Sequence, residues 1–355
     1  MKKYFAMIAL ATLTLVACEK MEESKDLSND VTTISAAAGA GQTKTAVDGF
    51  DVKWSAGDVL AVADEDDTIV EFTLTSGAGE QDATFEGTLG GKALGDYAVY
   101  PFSNAAVAGA SVIAEYLDTW AYGKTEVPMW GANDGSGAYA FTNIGGAILV
   151  TYSNVPATTN DKYFVLTSSE NITGPVTVSG LDSTPSVDVT AMTGTTVTVT
   201  GIPGDATSVS VIVPVPAGTG YNFAVELREA TTDAVVPGSS KTASNRTITA
   251  NQITKFPDVD LKPVITATPT SFSGLSKQAH NGQSLTYTIS NVAAGAKVDD
   301  AIADDTAMIT NINTETAGTV TFNVALNKTK ATRTGHITLS YSGADNVEIT
   351  VEQFG

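Results

Sequence analysis

Short Val/Thr/Ile-rich runs recur along the chain, separated by clusters of Gly, Asp, Asn, Ser and Pro. Asp51-Val52-Lys53-Trp54, Val59-Leu60-Ala61-Val62, Ile69-Val70-Glu71-Phe72-Thr73-Leu74 and Ala147-Ile148-Leu149-Val150 are examples from the first half. Val197-Thr198-Val199-Thr200, Val209-Ser210-Val211-Ile212-Val213 and Phe223-Ala224-Val225-Glu226-Leu227 continue the pattern. Side chains on a strand point alternately to its two faces, so each run presents one face to a core and the other to water. The predicted fold class is therefore all-β, with stacked antiparallel sheets forming tandem β-sandwich domains. Val112 to Leu117 is the one stretch with room for a turn or two of helix. Phe256-Pro257-Asp258-Val259-Asp260-Leu261-Lys262-Pro263 carries two prolines and reads as a linker or edge strand. Turn-rich Asn154 to Asn160 marks a second boundary. These breaks divide the chain into a first β-sandwich over 43–157, a second over 158–262 and a third over 263–355.

The N-terminal segment breaks the alternation. Lys2 and Lys3 precede an apolar run from Tyr4 to Ala17 that falls short of the roughly 20 residues needed to span a bilayer. Residues 1–17 read as a signal peptide, and Leu15-Val16-Ala17-Cys18 resembles a lipobox, which makes Cys18 the lipidation site. Cys18 is the only cysteine, so no intramolecular disulfide can form. Residues 18–42 read as a lipidated cysteine followed by a flexible acidic tether, too poor in apolar side chains to fold alone. The charged stretch Glu19 to Asp26 also resembles the signal that exports Bacteroidetes lipoproteins to the outer leaflet.

Charge narrows the choice of partner. Without Lys2 and Lys3 the chain carries 17 basic against 39 acidic side chains. Nucleic acid is excluded as a partner, because phosphate contacts need a basic face. Direct docking on an anionic membrane is disfavoured for the same reason.

Candidate chemistry is sparse. His280 and His336 are the only imidazoles, His280 in a turn and His336 on an outward or edge strand position. No HExxH, Gly-x-Ser-x-Gly or CxxC spacing occurs, and no catalytic residue, metal site or cofactor is predicted. Gly39 to Thr45 lacks the glycine before lysine that a phosphate loop needs, and reads as a linker. Asp64-Glu65-Asp66-Asp67 reads as a solvated hairpin turn rather than a Ca²⁺ loop. Asp299-Asp300 and Asp304-Asp305 read the same way. Aromatic residues crowd one stretch, where Tyr116, Trp120 and Tyr122 are the candidate ligand-binding residues and Trp130 is expected in the core.

Two family resemblances follow from these residues. Lys44-Thr45-Ala46, Val52-Lys53-Trp54 and Gly57-Asp58-Val59-Leu60-Ala61-Val62 resemble the opening of fimbrillin-like proteins, pilin-related surface lipoproteins of Bacteroidetes. Phe85-Glu86-Gly87, Tyr97 to Pro101, Pro128-Met129-Trp130, Asn171 to Gly174 and Val213 to Gly218 extend the likeness to about residue 262. Asn327, Arg333-Thr334-Gly335-His336-Ile337-Thr338-Leu339 and Val351-Glu352-Gln353 resemble a BACON domain. The resemblances imply a transthyretin-like pair of sandwiches followed by an immunoglobulin-like BACON sandwich. They imply a non-catalytic outer-membrane surface lipoprotein acting in adhesion or as a fimbria-associated tip or accessory subunit. The alternative they leave open is a glycan-binding lipoprotein of a polysaccharide-uptake system. The partners implied are the membrane through Cys18, and pilus subunits, host proteins or glycans. Stalk subunits of that family are cut after an N-terminal arginine. The only arginines here are Arg228, Arg246 and Arg333, so an uncut accessory subunit is expected. After Pro263, Tyr287, Phe322 and Tyr341 alternate with aliphatic neighbours and are expected to face the core, leaving the last module a spacer or cap.

Overall fold

The computed structural model describes residues 30–38, 53–124 and 126–355. Cys18, the leader, the Gly39 to Thr45 linker and the Lys44-Thr45-Ala46 part of the resemblance lie outside them. The described residues form 28 β-strands and no helix, so the chain is all-β.

The first seven-stranded unit closes on itself as a barrel, in which opposing walls pack face to face. Its strands are Val31–Ala37, Val59–Asp64, Ile69–Ser76, Asp82–Thr88, Leu94–Tyr100, Met129–Asn133 and Ala138–Asn143. Val31–Ala37, expected as part of the tether, is a full barrel strand, antiparallel to Asp82–Thr88 and parallel to Ala138–Asn143. The reason is local: Ile34, Ala36 and Ala38 alternate and are buried, so the segment has an apolar face to contribute. Trp54 fills the barrel centre at 1 % exposure. It meets Phe85, Tyr100 and Phe141 edge-on at 5.1, 5.5 and 5.3 Å, and its Nε1 donates to the Ala36 carbonyl at 3.2 Å.

The second unit stacks two sheets. One has five strands in the order Lys241–Ile248, Gly218–Glu229, Lys162–Ser168, Thr196–Ile202, Thr119–Ala121. The other carries Ser208–Val215 and Ile253–Lys255 on either side of Gly146–Ser153, which also pairs with Val259–Asp260. Ile148, Val150, Phe164, Leu166, Val211, Val213, Phe223 and Val225 are buried between them. The reverse face of the smaller sheet gives Ala147, Ile212 and Ile253 to the barrel core. Both faces are thus covered, which explains why Ala147 to Val150 is a nearly unbroken apolar run.

A further sheet joins Ala106–Val107, Ser111–Tyr116, Gly174–Ser179 and Ser186–Asp188, and it covers the outside of the barrel. Val112, Ala114, Val176 and Val178 pack there against Ala61, Ala63 and Val99. Ser111–Tyr116 is therefore a strand, not the short helix its sequence allowed. The expected boundary after residue 157 is crossed twice. Gly146–Ser153 is paired along its whole length with Ser208–Val215, and Ser111–Tyr116 with Gly174–Ser179.

From Val264 onward the named strands pair only with one another. Val264–Thr268, His280–Ser290, Thr319–Val324 and Ile309–Asn313 face Ser271–Leu275, Val347–Gln353, Arg333–Ser340 and Asp300–Ala303. Leu285, Tyr287, Val320, Phe322, Ile337, Leu339 and Ile349 fill the space between the sheets, with Tyr341 packed at its margin. The three aromatics face the core as expected. His280, expected in a turn, begins a strand.

Candidate functional site

Thr119–Ala121 is a short edge strand, held parallel to Thr196–Ile202 through Thr198↔Thr119 and Val199↔Trp120. The chain then turns: the Tyr122 amide donates to the Thr200 carbonyl at 2.7 Å and the Lys124 amide to the Ala121 carbonyl at 3.1 Å. Gly123 takes φ +85°, a conformation that L side chains rarely adopt. The turn brings Trp120, Tyr122 and Lys124 to the seam between two sheet edges, where Ser210, Val211 and Ile212 of the other sheet complete a groove of about 250 Å³. Trp120 is 7 % exposed and belongs to the core beneath, so it forms the floor. Tyr122 is half-buried against the same core and, with half-buried Lys124, shapes the opening. An apolar floor, a phenol and an ammonium suit a ring-shaped ligand with hydroxyl or anionic substituents.

Tyr116 does not join them. It is 2 % exposed, lies on the sheet that covers the barrel and packs in a different core from Trp120. Its burial removes it as a stacking surface and pushes its phenol pKa up. Trp130, expected in the core, is half-buried on the barrel exterior and meets Tyr97 at 6.3 Å. The covering sheet shields Trp130 only in part, although Trp130 still packs against that sheet's core.

A second, larger groove of about 400 Å³ lies on the outer face of the five-stranded sheet. Thr167, Ser240, Thr242 and Lys241 line it beside Val165 and Glu226. Nothing in the sequence marks it, since exposed Thr, Ser and Lys recur on outward strand positions. Glu226 is already engaged by Arg228 Nε at 2.6 Å.

Elsewhere titratable groups serve the framework. The Tyr100 hydroxyl lies 3.1 Å from Asp58 Oδ1 and also meets the Glu126 carboxylate. Burial raises the Asp58 pKa against the opposing effect of the Ser55 amide, which donates to Oδ2 at 2.6 Å. Asp64 accepts from the Asp66 and Thr68 amides and from Lys92 Nζ at 2.6 Å, which lowers its pKa and locks the Asp64 to Asp67 hairpin. Lys162 is fully buried, its ammonium held by the Gly204 carbonyl at 2.6 Å and Thr158 Oγ1 at 3.1 Å, with its pKa lowered by burial. In the last module half-buried Arg333 is tied to buried Gln353, while buried Asn327 bonds separately to neighbouring backbone. Arg333 Nε and Nη2 donate to Gln353 Oε1 at 2.9 and 2.8 Å, and Gln353 Nε2 donates to the Gln278 carbonyl at 2.7 Å. The residues that carry the BACON resemblance are thus structural.

No family model matches the chain, and no curated protein matches it. Among solved structures, a candidate cell adhesion protein from Bacteroides ovatus aligns over 65 % of this chain and 93 % of its own, at 12 % identity and TM-score 0.36. A fimbrial protein from the same species aligns over 64 % of this chain and 49 % of its own, at 14 % identity and TM-score 0.29. A candidate cell adhesion protein from Bacteroides fragilis covers 73 % of this chain and 97 % of its own, at 10 % identity and TM-score 0.30. At these values the likeness carries no functional argument.

Proposed function

We propose that this chain is a non-catalytic adhesion protein of the bacterial surface, anchored by acylation of Cys18, that acts alone or as an accessory subunit of a fimbria. The groove at Trp120, Tyr122 and Lys124 carries the binding part of the reading. It is the place where an aromatic pair and a cation converge on a rigid scaffold of paired strands. The leader ending in Leu15-Val16-Ala17-Cys18 and the fimbrillin-like residues support the location and the class. The same groove also suits the alternative, a glycan-binding lipoprotein, because aromatic faces beside polar groups stack on sugar rings.

The test has two arms. Cells expressing the protein are labelled with radioactive fatty acid and imaged by immunogold. Label in the wild type, its loss in Cys18→Ala, and gold on the cell surface are expected. A Cys18→Ala protein that still takes up the fatty-acid label, or a wild type that takes up none, overturns the anchor. For the groove, calorimetry against host and plant glycans should show binding that falls at least tenfold in Tyr122→Ala with Lys124→Gln. Binding unaffected by that pair moves the site elsewhere.

A further inference from the structure

The far end of the last module concentrates cations in a chain that carries twice as many acids as bases. Asn327 organises it. This residue is 3 % exposed, and its amide N–H donates to the Lys277 carbonyl at 2.9 Å. Its Nδ2 donates to the carbonyls of Ala331 at 2.8 Å and Phe354 at 3.0 Å, while Oδ1 accepts from the Thr329 amide at 3.0 Å. One buried amide therefore ties three segments together: Ser276–His280, Leu326–Ala331 and the stretch at Phe354. The Phe354 amide adds a bond to the Leu275 carbonyl at 2.8 Å.

What these segments display is unusual for this protein. Leu326 and Phe354 are 43 % and 49 % exposed, and Lys277, Lys328 and Lys330 are exposed beside them. Lys92, Lys255, Lys262 and Lys297 each sit against a carboxylate, whereas these three lysines have no carboxylate partner among the described residues. The carboxylates on the adjoining strands make other contacts and keep their charge. Asp304 holds His336, Asp305 caps the amides of Ala307 and Met308, and Glu352 lies half-buried beside Thr334 on its strand.

We propose that this tip docks on an anionic lipid surface, Leu326 and Phe354 entering the interfacial region while the three lysines meet headgroup charge. Going beyond the proposed adhesive role, it gives the last module a contact of its own. A lipid surface fits better than a protein partner for a physical reason. A stable protein interface buries about 800 Å² per side, more than a tip of five side chains offers, whereas a membrane supplies anionic headgroups and hydrocarbon to the same small patch. The net negative charge of the chain does not forbid this. Lys262 pairs with Asp345 at the opposite end of the module, and the eight-residue strand Arg333–Ser340 spans about 26 Å between the ends. That separation exceeds the Debye length of about 8 Å at physiological salt, so the charges at that end are screened from the tip.

The experiment is vesicle co-sedimentation of the chain from Glu19 onward, without leader or acyl group, using phosphatidylglycerol–phosphatidylcholine and pure phosphatidylcholine vesicles. Binding to the anionic vesicles that weakens as salt rises is expected. Lys277→Gln with Lys328→Gln and Lys330→Gln should reduce it by about a hundredfold, roughly fivefold per lysine. Leu326→Ser with Phe354→Ser should reduce it at least tenfold while leaving the salt dependence in place. Circular dichroism melts of both variants verify folding, which exposed substitutions should leave intact. Absence of sedimentation with anionic vesicles overturns the proposal, as does binding that neither variant changes. Retention by a soluble polyanion such as dextran sulfate without vesicle binding also overturns it, in favour of an acidic polymer.

Discussion

Tyr100 has one hydroxyl proton and faces two carboxylates, so it can donate to only one of Asp58 and Glu126 at a time. The second contact is satisfied when a carboxyl carries the shared proton, and buried Asp58 is the group whose pKa is raised. The folded state then binds that proton more tightly than the unfolded chain. Its contribution is fully present below the ordinary value of 3.8 and is lost as pH rises through the raised value. Asp58→Asn, which mimics the protonated form, should flatten the acid side of a stability-against-pH profile measured by urea melts. Asp58→Ala should cost about 1–3 kcal/mol, because it strands the Ser55 amide while the Tyr100 phenol keeps only Glu126. His336 offers a test of opposite charge type. Asp304 Oδ2, 2.8 Å from Nδ1, raises its pKa above 6.5, so its stabilisation holds below that value and fades as pH climbs through the folded one. In an NMR titration the His336 ring should titrate above 6.5, and Asp304→Asn should lower its midpoint. The sequence showed these residues but not their partners: Asp58 and Tyr100 are 42 positions apart, and Asp304 and His336 are 32 apart.

At the scale of the element, the apolar runs marked long strands such as Val59–Asp64, Ile69–Ser76, Gly146–Ser153 and Ser208–Val215. They failed at Lys53-Trp54, which the structure leaves outside any strand, and where a strand is short or poor in large apolar residues. Val31–Ala37 was missed because five of its seven residues are Thr, Ser or Ala, and its place is fixed by pairing on both edges. A chain lacking residues 30–38 should open the barrel, expose the edges of Asp82–Thr88 and Ala138–Asn143, and aggregate in size-exclusion chromatography. Thr119–Ala121 is only three residues long, yet it decides what its tryptophan does. Trp120→Ala should destabilise by about 3–5 kcal/mol in denaturant melts, the usual cost of emptying a large core site. Half-buried Tyr122 should lose much less on the same change. Weakened ligand binding in the Trp120 variant alone would therefore report on folding, which is why the groove is tested through Tyr122 and Lys124. Tyr116 was legible as an aromatic near Trp120 in sequence, but its strand belongs to the sheet that covers the barrel, and that places it in another core.

For the whole molecule, pairing rather than sequence spacing sets the units that can stand alone. Gly146–Ser153 and Ser111–Tyr116 both find their partners beyond residue 157, so a fragment ending there should leave apolar strands unpaired and fail to unfold cooperatively. A fragment of residues 264–355 keeps every one of its strand partners and its own core, and should show a single thermal transition. In the full chain Asn291 Nδ2 donates to the Asp260 and Lys262 carbonyls at 3.3 and 2.9 Å, which holds the proline-flanked linker against the last module. The sequence by itself determined the all-β class, the inward aromatics of the last module and the break near Pro263. Period-two patterning and proline act through neighbouring residues and need no distant partner. Tertiary structure decided the interleaving of the first two units, the burial of Trp120 as a groove floor, and the lysine-rich tip around Asn327. Each depends on which strands meet, and that is set by two-sided burial and edge pairing between segments far apart in the chain.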